Sequence, residues 1–166
     1  YNHHVYAVEK KGEMFEIGAD KELGVIQAKK VVVGIGVMGK PNRPSYKFPP
    51  KLRKQLNFNL DKVENGEKVM IVGGGDTAGE YAYGLVDMNM DCEVHLNYRR
   101  AEISRMNPVN KEITERYISE GKIVSKLGVD VDGVEVAEID GKVKIQVNFK
   151  DGSTEIYDRV VYALGG

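Results

Sequence analysis

Between Val69 and Arg105 the sequence sets glycines, a helix start and three arginines at spacings suited to holding phosphate. The apolar run Val69-Met70-Ile71-Val72 leads into Gly73-Gly74-Gly75-Asp76-Thr77-Ala78, which reads as Gly73-x-Gly75-x-x-Ala78. The first glycine permits a tight strand-to-helix turn. The second lets backbone approach a diphosphate closely, and Ala78 stands where a third glycine is common. The free amides and dipole at the start of the following helix attract an anion. Asp76 is placed to cap that helix, although its charge would then sit close to the anion.

A second reader of charge follows the next apolar strand, Glu93 to Asn97. In such a unit the end of the second strand meets the ribose of a bound dinucleotide, where a carboxylate would take the 2′-hydroxyl. Here the sequence runs Asn97-Tyr98-Arg99-Arg100-Ala101-Glu102-Ile103-Ser104-Arg105, with no acid at the strand end. Guanidinium groups suit a 2′-phosphate instead, through charge-assisted bonds. Two such bonds at about 1.5–3 kcal/mol each favour NADP over NAD by roughly two to four orders of magnitude. A plain exposed basic loop is the competing interpretation. Tyr98 is within reach of the adenine.

The elements needed to position these residues are legible around them. The helix after the glycines runs to about Val86, with Ala78, Ala82, Leu85 and Val86 on one face. Asn107-Pro108 starts a second helix, with Asn as cap and Pro in the first turn. Val109, Ile113 and Tyr117 mark its expected buried stripe, and Gly121 its end. Ile123 to Leu127 is a third strand. Three shorter strands surround Gly133, Gly141 and Asp151-Gly152, and Val160 to Ala163 is the last. The expected fold class is α/β: a Rossmann-like parallel sheet with an inserted antiparallel β-meander.

The first 36 residues repeat part of this plan. Strands are expected at Val5–Lys10, Met14–Ile17, Val25–Ala28 and Val31–Val33, the last closing on Gly34-Ile35-Gly36. Gly12 precedes Gly141, and Gly36 precedes Gly165, by the same 129 residues. The first copy has too few residues before Gly12 for a βαβ unit, which needs roughly 30 or more. It therefore reads as a truncated piece of a second dinucleotide-binding domain. Between the copies, Pro41, Pro44, Pro49 and Pro50 mark a linker, with a short helix expected near Lys51 to Leu56.

The composition narrows the function classes. Lys and Arg total 24 against 25 Asp and Glu, without the basic excess of a nucleic-acid binder. No apolar run is long enough to span a membrane, and no signal peptide opens the chain. With Cys92 as the one cysteine, no disulfide forms within the chain, and a cytoplasmic location is expected. His3, His4 and His95 lack ligand spacing, and no metal is assigned to them.

Gly73-Gly74-Gly75-Asp76-Thr77-Ala78-Gly79-Glu80, with Tyr98-Arg99-Arg100 beyond, resembles the NADPH domain of low-molecular-weight thioredoxin reductases and their relatives. These include thioredoxin-reductase-like ferredoxin–NADP reductases and bacillithiol disulfide reductases. Arg105 departs from the family pattern by one residue. The resemblance extends from about Lys30 to the end, with Gly34 in place of the usual alanine of the segment closing the FAD domain. It implies a partial FAD-domain meander over 1–40, a linker over 41–66 and an NADPH-binding domain over 67–166. NADP(H) is then the cofactor of this chain, held by Gly73, Gly74, Gly75, Asp76, Thr77, Ala78, Glu80, Tyr98, Arg99, Arg100, Arg105 and Gly165. FAD belongs to the intact protein only. Expected partners are the remaining FAD-domain segments and a second copy in a homodimer, with neither nucleic acid nor membrane. Glu80 matches a family glutamate near nicotinamide and flavin, though an ordinary helix glutamate would look the same. Residues 41–72 lack the Cys-x-x-Cys of thioredoxin reductases proper, so no dithiol relay is expected. The fragment alone is expected to be inactive. A free-standing NADPH module remains open, as does a flavin monooxygenase, whose P-x-x-P segment Pro41-Asn42-Arg43-Pro44 also fits.

Overall fold

The computed structural model describes residues 3–20, 24–34 and 41–165, and the chain divides into two compact units, Tyr1–Gly36 and Val37–Gly166. In the first unit, β1 (Val5–Lys11), β2 (Met14–Ala19) and β3 (Val25–Ala28) form an antiparallel sheet in that order. Lys11 pairs with Met14 across a turn in which Gly12 takes a φ of +64°, a conformation open to glycine at little cost. The strand expected at Val31–Val33 does not form. No described strand lies beside it to complete a ladder, and Val32 and Val33 are exposed. Ile35 and Gly36, on which that strand was expected to close, lie outside the described residues.

The second unit begins with the stretch read from sequence as a linker. It contains a 3-10 turn at Pro50–Leu52 and a two-residue strand β4 (Leu56–Asn57), in place of the expected helix at Lys51–Leu56. Proline at residues 49 and 50 sets φ for a tight turn but leaves little chain for a full helical nucleus. The elements that follow are β5 (Lys68–Val72), α1 (Asp76–Asp87), β6 (Glu93–Tyr98), α2 (Pro108–Ser119) and β7 (Ile123–Leu127). The meander β8 (Val131–Ile139), β9 (Lys142–Phe149), β10 (Thr154–Tyr157) comes next, and β11 (Arg159–Tyr162) last.

The parallel sheet has the order β4-β11-β5-β6-β7, so β11, late in sequence, lies at its interior. Its inner strands β11, β5 and β6 are buried on both faces, as parallel strands require, while the edge strand β7 exposes Val124. Val69, Ile71, Val94, Leu96 and Val161 pack under α1 and α2. Met70, Val160 and Tyr162 face the meander's Val134, Ile145, Val147 and Tyr157, together with Leu52 and Leu56 of the connecting stretch. Arg159 ties that stretch to the sheet. Its guanidinium donates to Glu67, to the Lys54 carbonyl and to Asn57 Oδ1.

The repeat is visible in both units. β10 starts and ends 129 residues after β3, and Gly141, with a φ of +73°, stands in the turn equivalent to that of Gly12. In α2 the expected ends hold. Asn107 accepts from the Asn110 amide at 3.0 Å, and Gly121 closes a paired 5→2 and 6→1 cap with Lys122. The expected buried stripe holds only in part, with Ile113 and Tyr117 half-buried and Tyr117 packed against the core. Val109 is 64% exposed, and the buried positions are Asn110 and Thr114. The helix is rotated so that Asn110 reaches α1, while the Thr114 hydroxyl is satisfied by the Asn110 carbonyl at 2.7 Å.

Candidate functional site

The turn from β5 into α1 is shaped by two close approaches. The Gly73 amide donates to the Asn97 carbonyl at 3.0 Å, and the Ala163 amide to the Val72 carbonyl at 2.8 Å. This draws the end of β11 against the turn. Gly73 has a φ of +155°, and a Cβ there would run into the Ala163 carbonyl. A Cβ on Gly74 would enter the Tyr98 ring, whereas one on Gly75 would meet nothing. Gly75 is the N-cap of α1 and offers no side chain, so the amides of the first helical turn face the space above it without a capping oxygen.

That space is a cleft of about 430 Å³ within the second unit. Its floor is Gly73–Gly75, and Ala163–Gly165 line it along with Tyr98 at the end of β6. Arg99 and Arg105 line it too, and the Arg105 backbone bridges to Gly75, fixing that arginine beside the helix start. Gly165 takes a φ of +82°, and its carbonyl accepts from the Asn42 amide at 2.9 Å. Ala78 is buried beneath the turn.

Five of the residues picked from sequence do not line the cleft, Ala78 beneath the turn being one. Asp76 does not cap α1. Its Oδ1 accepts from the Asn107 amide (2.7 Å), Asn107 Nδ2 (2.8 Å) and Asn110 Nδ2 (3.1 Å), so its charge is turned to the start of α2. Glu80 is exposed and accepts from Asn110 Nδ2 at 3.0 Å. Thr77 is exposed at the first turn of α1. Arg100 is exposed, with Nη1 3.3 Å from Ser104 Oγ.

A glycine floor without room for a side chain at Gly73 and Gly74, an open helix start at Gly75 and the guanidiniums of Arg99 and Arg105 beside them fit a dinucleotide diphosphate with an additional phosphate. A family model described as pyridine nucleotide-disulphide oxidoreductase matches residues 1–166. The chain belongs to that family.

Family members with similar sequences are named as oxidoreductases. The chain is 27% identical to a ferredoxin–NADP reductase of Rickettsia bellii (strain OSU 85-389) over 139 residues, 81% of this chain and 40% of that protein. It is 32% identical over 102 residues to a ferredoxin–NADP reductase of Anaplasma marginale (strain St. Maries), 59% of this chain and 30% of that one. Among solved structures, thioredoxin reductase from T. acidophilum superposes with a TM-score of 0.61 at 18% identity, covering 98% of this chain and 52% of that one. The bacillithiol disulfide reductase YpdA from Bacillus cereus superposes with a TM-score of 0.54 at 24% identity, covering 99% and 49%. These likenesses show a thioredoxin-reductase-like dinucleotide-binding fold. The chain spans about half the length of these solved structures, and less than half of the two ferredoxin–NADP reductases.

Several residues of this family member's cleft carried no local signal in the sequence. Arg43, Ser45 and Tyr46 come from the connecting stretch, and Asp130, Val131 and Lys150 from the meander. Only the tertiary fold brings them to the glycines, although Arg43 stands beside the prolines that mark the connector. The Tyr46 hydroxyl donates to that of Tyr162 at 3.1 Å, and burial raises its pKa to about 12, so it stays protonated. Cys92 lies outside the cleft. Its thiol donates to the Glu64 carbonyl at 3.4 Å, and burial pushes its pKa up, which keeps it a poor nucleophile. Among the described residues, no helix is long and apolar enough to cross a membrane.

Proposed function

We propose that this chain binds NADPH and presents it to an FAD held elsewhere in the intact protein, as part of an NADPH-dependent flavoprotein reductase. The observation that carries the reading is the glycine turn, closed against Ala163 and Tyr98 at Gly73 and Gly74 but clear above Gly75, in a cleft that Arg99 and Arg105 also line. Diphosphate oxygens would take the amides of Gly74, Gly75 and the first turn of α1, where the helix dipole favours negative charge. Arg99 and Arg105 would hold the 2′-phosphate, and Tyr98 would bound the adenine side. Ala163, Leu164 and Gly165 would orient the remainder of the dinucleotide. The nicotinamide, when bound, supplies the hydride, and the protein's part is binding, orientation and exclusion of water.

Among the described residues, one glycine-rich strand–turn–helix is present, which supports placing the flavin site outside them. The chain alone would then purify colourless and without turnover. A homodimer of the intact protein and a cytoplasmic location complete this reading. The ferredoxin–NADP reductase relatives and the absence of Cys-x-x-Cys from residues 41–72 favour a one-electron carrier over thioredoxin as the final acceptor.

Calorimetric titration with NADPH and NADH tests the assignment. NADPH is expected to bind tighter by roughly two to four orders of magnitude. Arg99→Ala and Arg105→Ala are each expected to remove about tenfold or more of that preference. Arg100→Ala, outside the cleft, should leave it within about twofold. Equal affinities for the two coenzymes would overturn the reading.

A further inference from the structure

Besides Arg43, Arg99 and Arg105, a fourth cation lines the same cleft. Lys150 lies in the turn that follows β9, far in sequence from the arginine loop. Three sets of bonds bring it there. The Gly128 amide lies within hydrogen-bond distance of the Tyr98 and Arg100 carbonyls, at 2.9 and 2.8 Å. The buried Asn97 side chain donates to the Lys126 and Val129 carbonyls at 3.2 and 2.8 Å. The segment approaching Asp130 is thus bound to the arginine loop on one side. On the other, the Lys150 amide donates to the Asp130 carbonyl at 2.9 Å, and Lys150 Nζ meets Asp130 Oδ2 at 2.8 Å.

Resting on the reading of this cleft as an NADPH site, we propose that Lys150 is a third cationic ligand of the 2′-phosphate. Asp130 holds the ammonium in place in the absence of nucleotide and competes with the phosphate for it. The ion pair is half-open to solvent, with 59% of the Lys150 side chain and 45% of the Asp130 side chain exposed, so an incoming phosphate can exchange with the carboxylate. The hydrogen bond to Asp130 raises the Lys150 pKa first of all, while Arg99 pulls it the other way. Lys150 thus stands within the field of the arginine that lines the same cleft. Asn97 is a positioning residue in this arrangement, because it acts through the segment that carries Asp130.

The test uses 2′,5′-ADP and 5′-AMP as probes, which differ in the 2′-phosphate and need neither nicotinamide nor flavin. Lys150→Met is expected to weaken 2′,5′-ADP about tenfold and leave 5′-AMP unchanged. Lys150→Arg should restore most of the loss. Asp130→Asn should strengthen 2′,5′-ADP by about threefold or more, because the competitor is gone, and the double variant should behave like Lys150→Met. A wild-type chain that prefers 2′,5′-ADP while Lys150→Met binds it equally well would overturn the role of Lys150 and leave the NADPH assignment standing. A wild-type chain with no preference between the probes would overturn both.

Discussion

A methyl group on Gly73 would collide with the Ala163 carbonyl, and the backbone there already sits at a φ that L residues rarely adopt. Gly75 differs: its N-cap φ of −102° is ordinary, and a Cβ would meet nothing within 4 Å. The pair separates fold from ligand binding. Gly73→Ala is expected to cost about 1–3 kcal/mol in urea unfolding, because the β11 terminus must move away. Gly75→Ala should cost about 1 kcal/mol or less, from the N-cap preference for glycine over alanine, yet weaken NADPH, since the methyl would fill the space a diphosphate needs. Unchanged NADPH affinity in Gly75→Ala would place the diphosphate elsewhere. The fingerprint glycines thus have separate duties that the pattern alone treats alike.

At the scale of elements, Asp76 joins the two helices. One oxygen accepts from the Asn107 backbone and from two side-chain amides of α2. Asp76→Ala would leave these donors short of an acceptor. A loss of about 1–3 kcal/mol is expected, read as a lower urea midpoint with an unchanged slope. A variant as stable as the parent would show that water replaces the carboxylate. The same region shows why some elements were legible and others were not. Asn107-Pro108 and Gly121 announce the ends of α2 through local backbone chemistry. Its inward face does not follow from apolar periodicity, because the face is decided by polar bonds from Asn110 to Asp76 and Glu80, distant in sequence. β4 has only Leu56 and Asn57, too short for any pattern, and exists because β11 offers it a free edge. The valines at 31–33 show the converse: a strand-like composition forms no strand without a neighbour. In the cleft, the glycines with Arg99 and Arg105 were legible because their spacing is local, whereas Arg43, Asp130 and Lys150 were not.

For the whole molecule, the interface between sheet and meander contains a polar knot that governs its response to acid. The His95 ring lies 2.7 Å from Glu93 Oε1 and 3.0 Å from the Tyr157 hydroxyl, and Lys68 and Lys126 converge on Glu155. Burial lowers the His95 pKa below 6.5, outweighing the pull of Glu93 and Glu155. Burial would raise Glu155, but Lys126 and Lys68 hold it down at about 2. Both shifts have the same sign for stability. The unfolded chain takes up protons that the folded chain resists, so stability falls as pH drops below 6.5, and again below 4.5. Urea unfolding between pH 8 and pH 4, over that range of roughly four units, should show this decline. His95→Gln should flatten the upper part of the curve, and a parent whose midpoint is level from pH 7 to about pH 5 would contradict the account. The sheet order has a different consequence, for the time at which the molecule becomes itself. β11 sits between β4 and β5 but is translated after every other strand of that sheet. A nascent chain emerging from the ribosome therefore carries a split sheet, with no wall of Ala163 to Gly165 beside the glycine turn. On the proposed reading, a coenzyme would find no complete cleft until β11 and the three residues after it leave the exit tunnel and slot home.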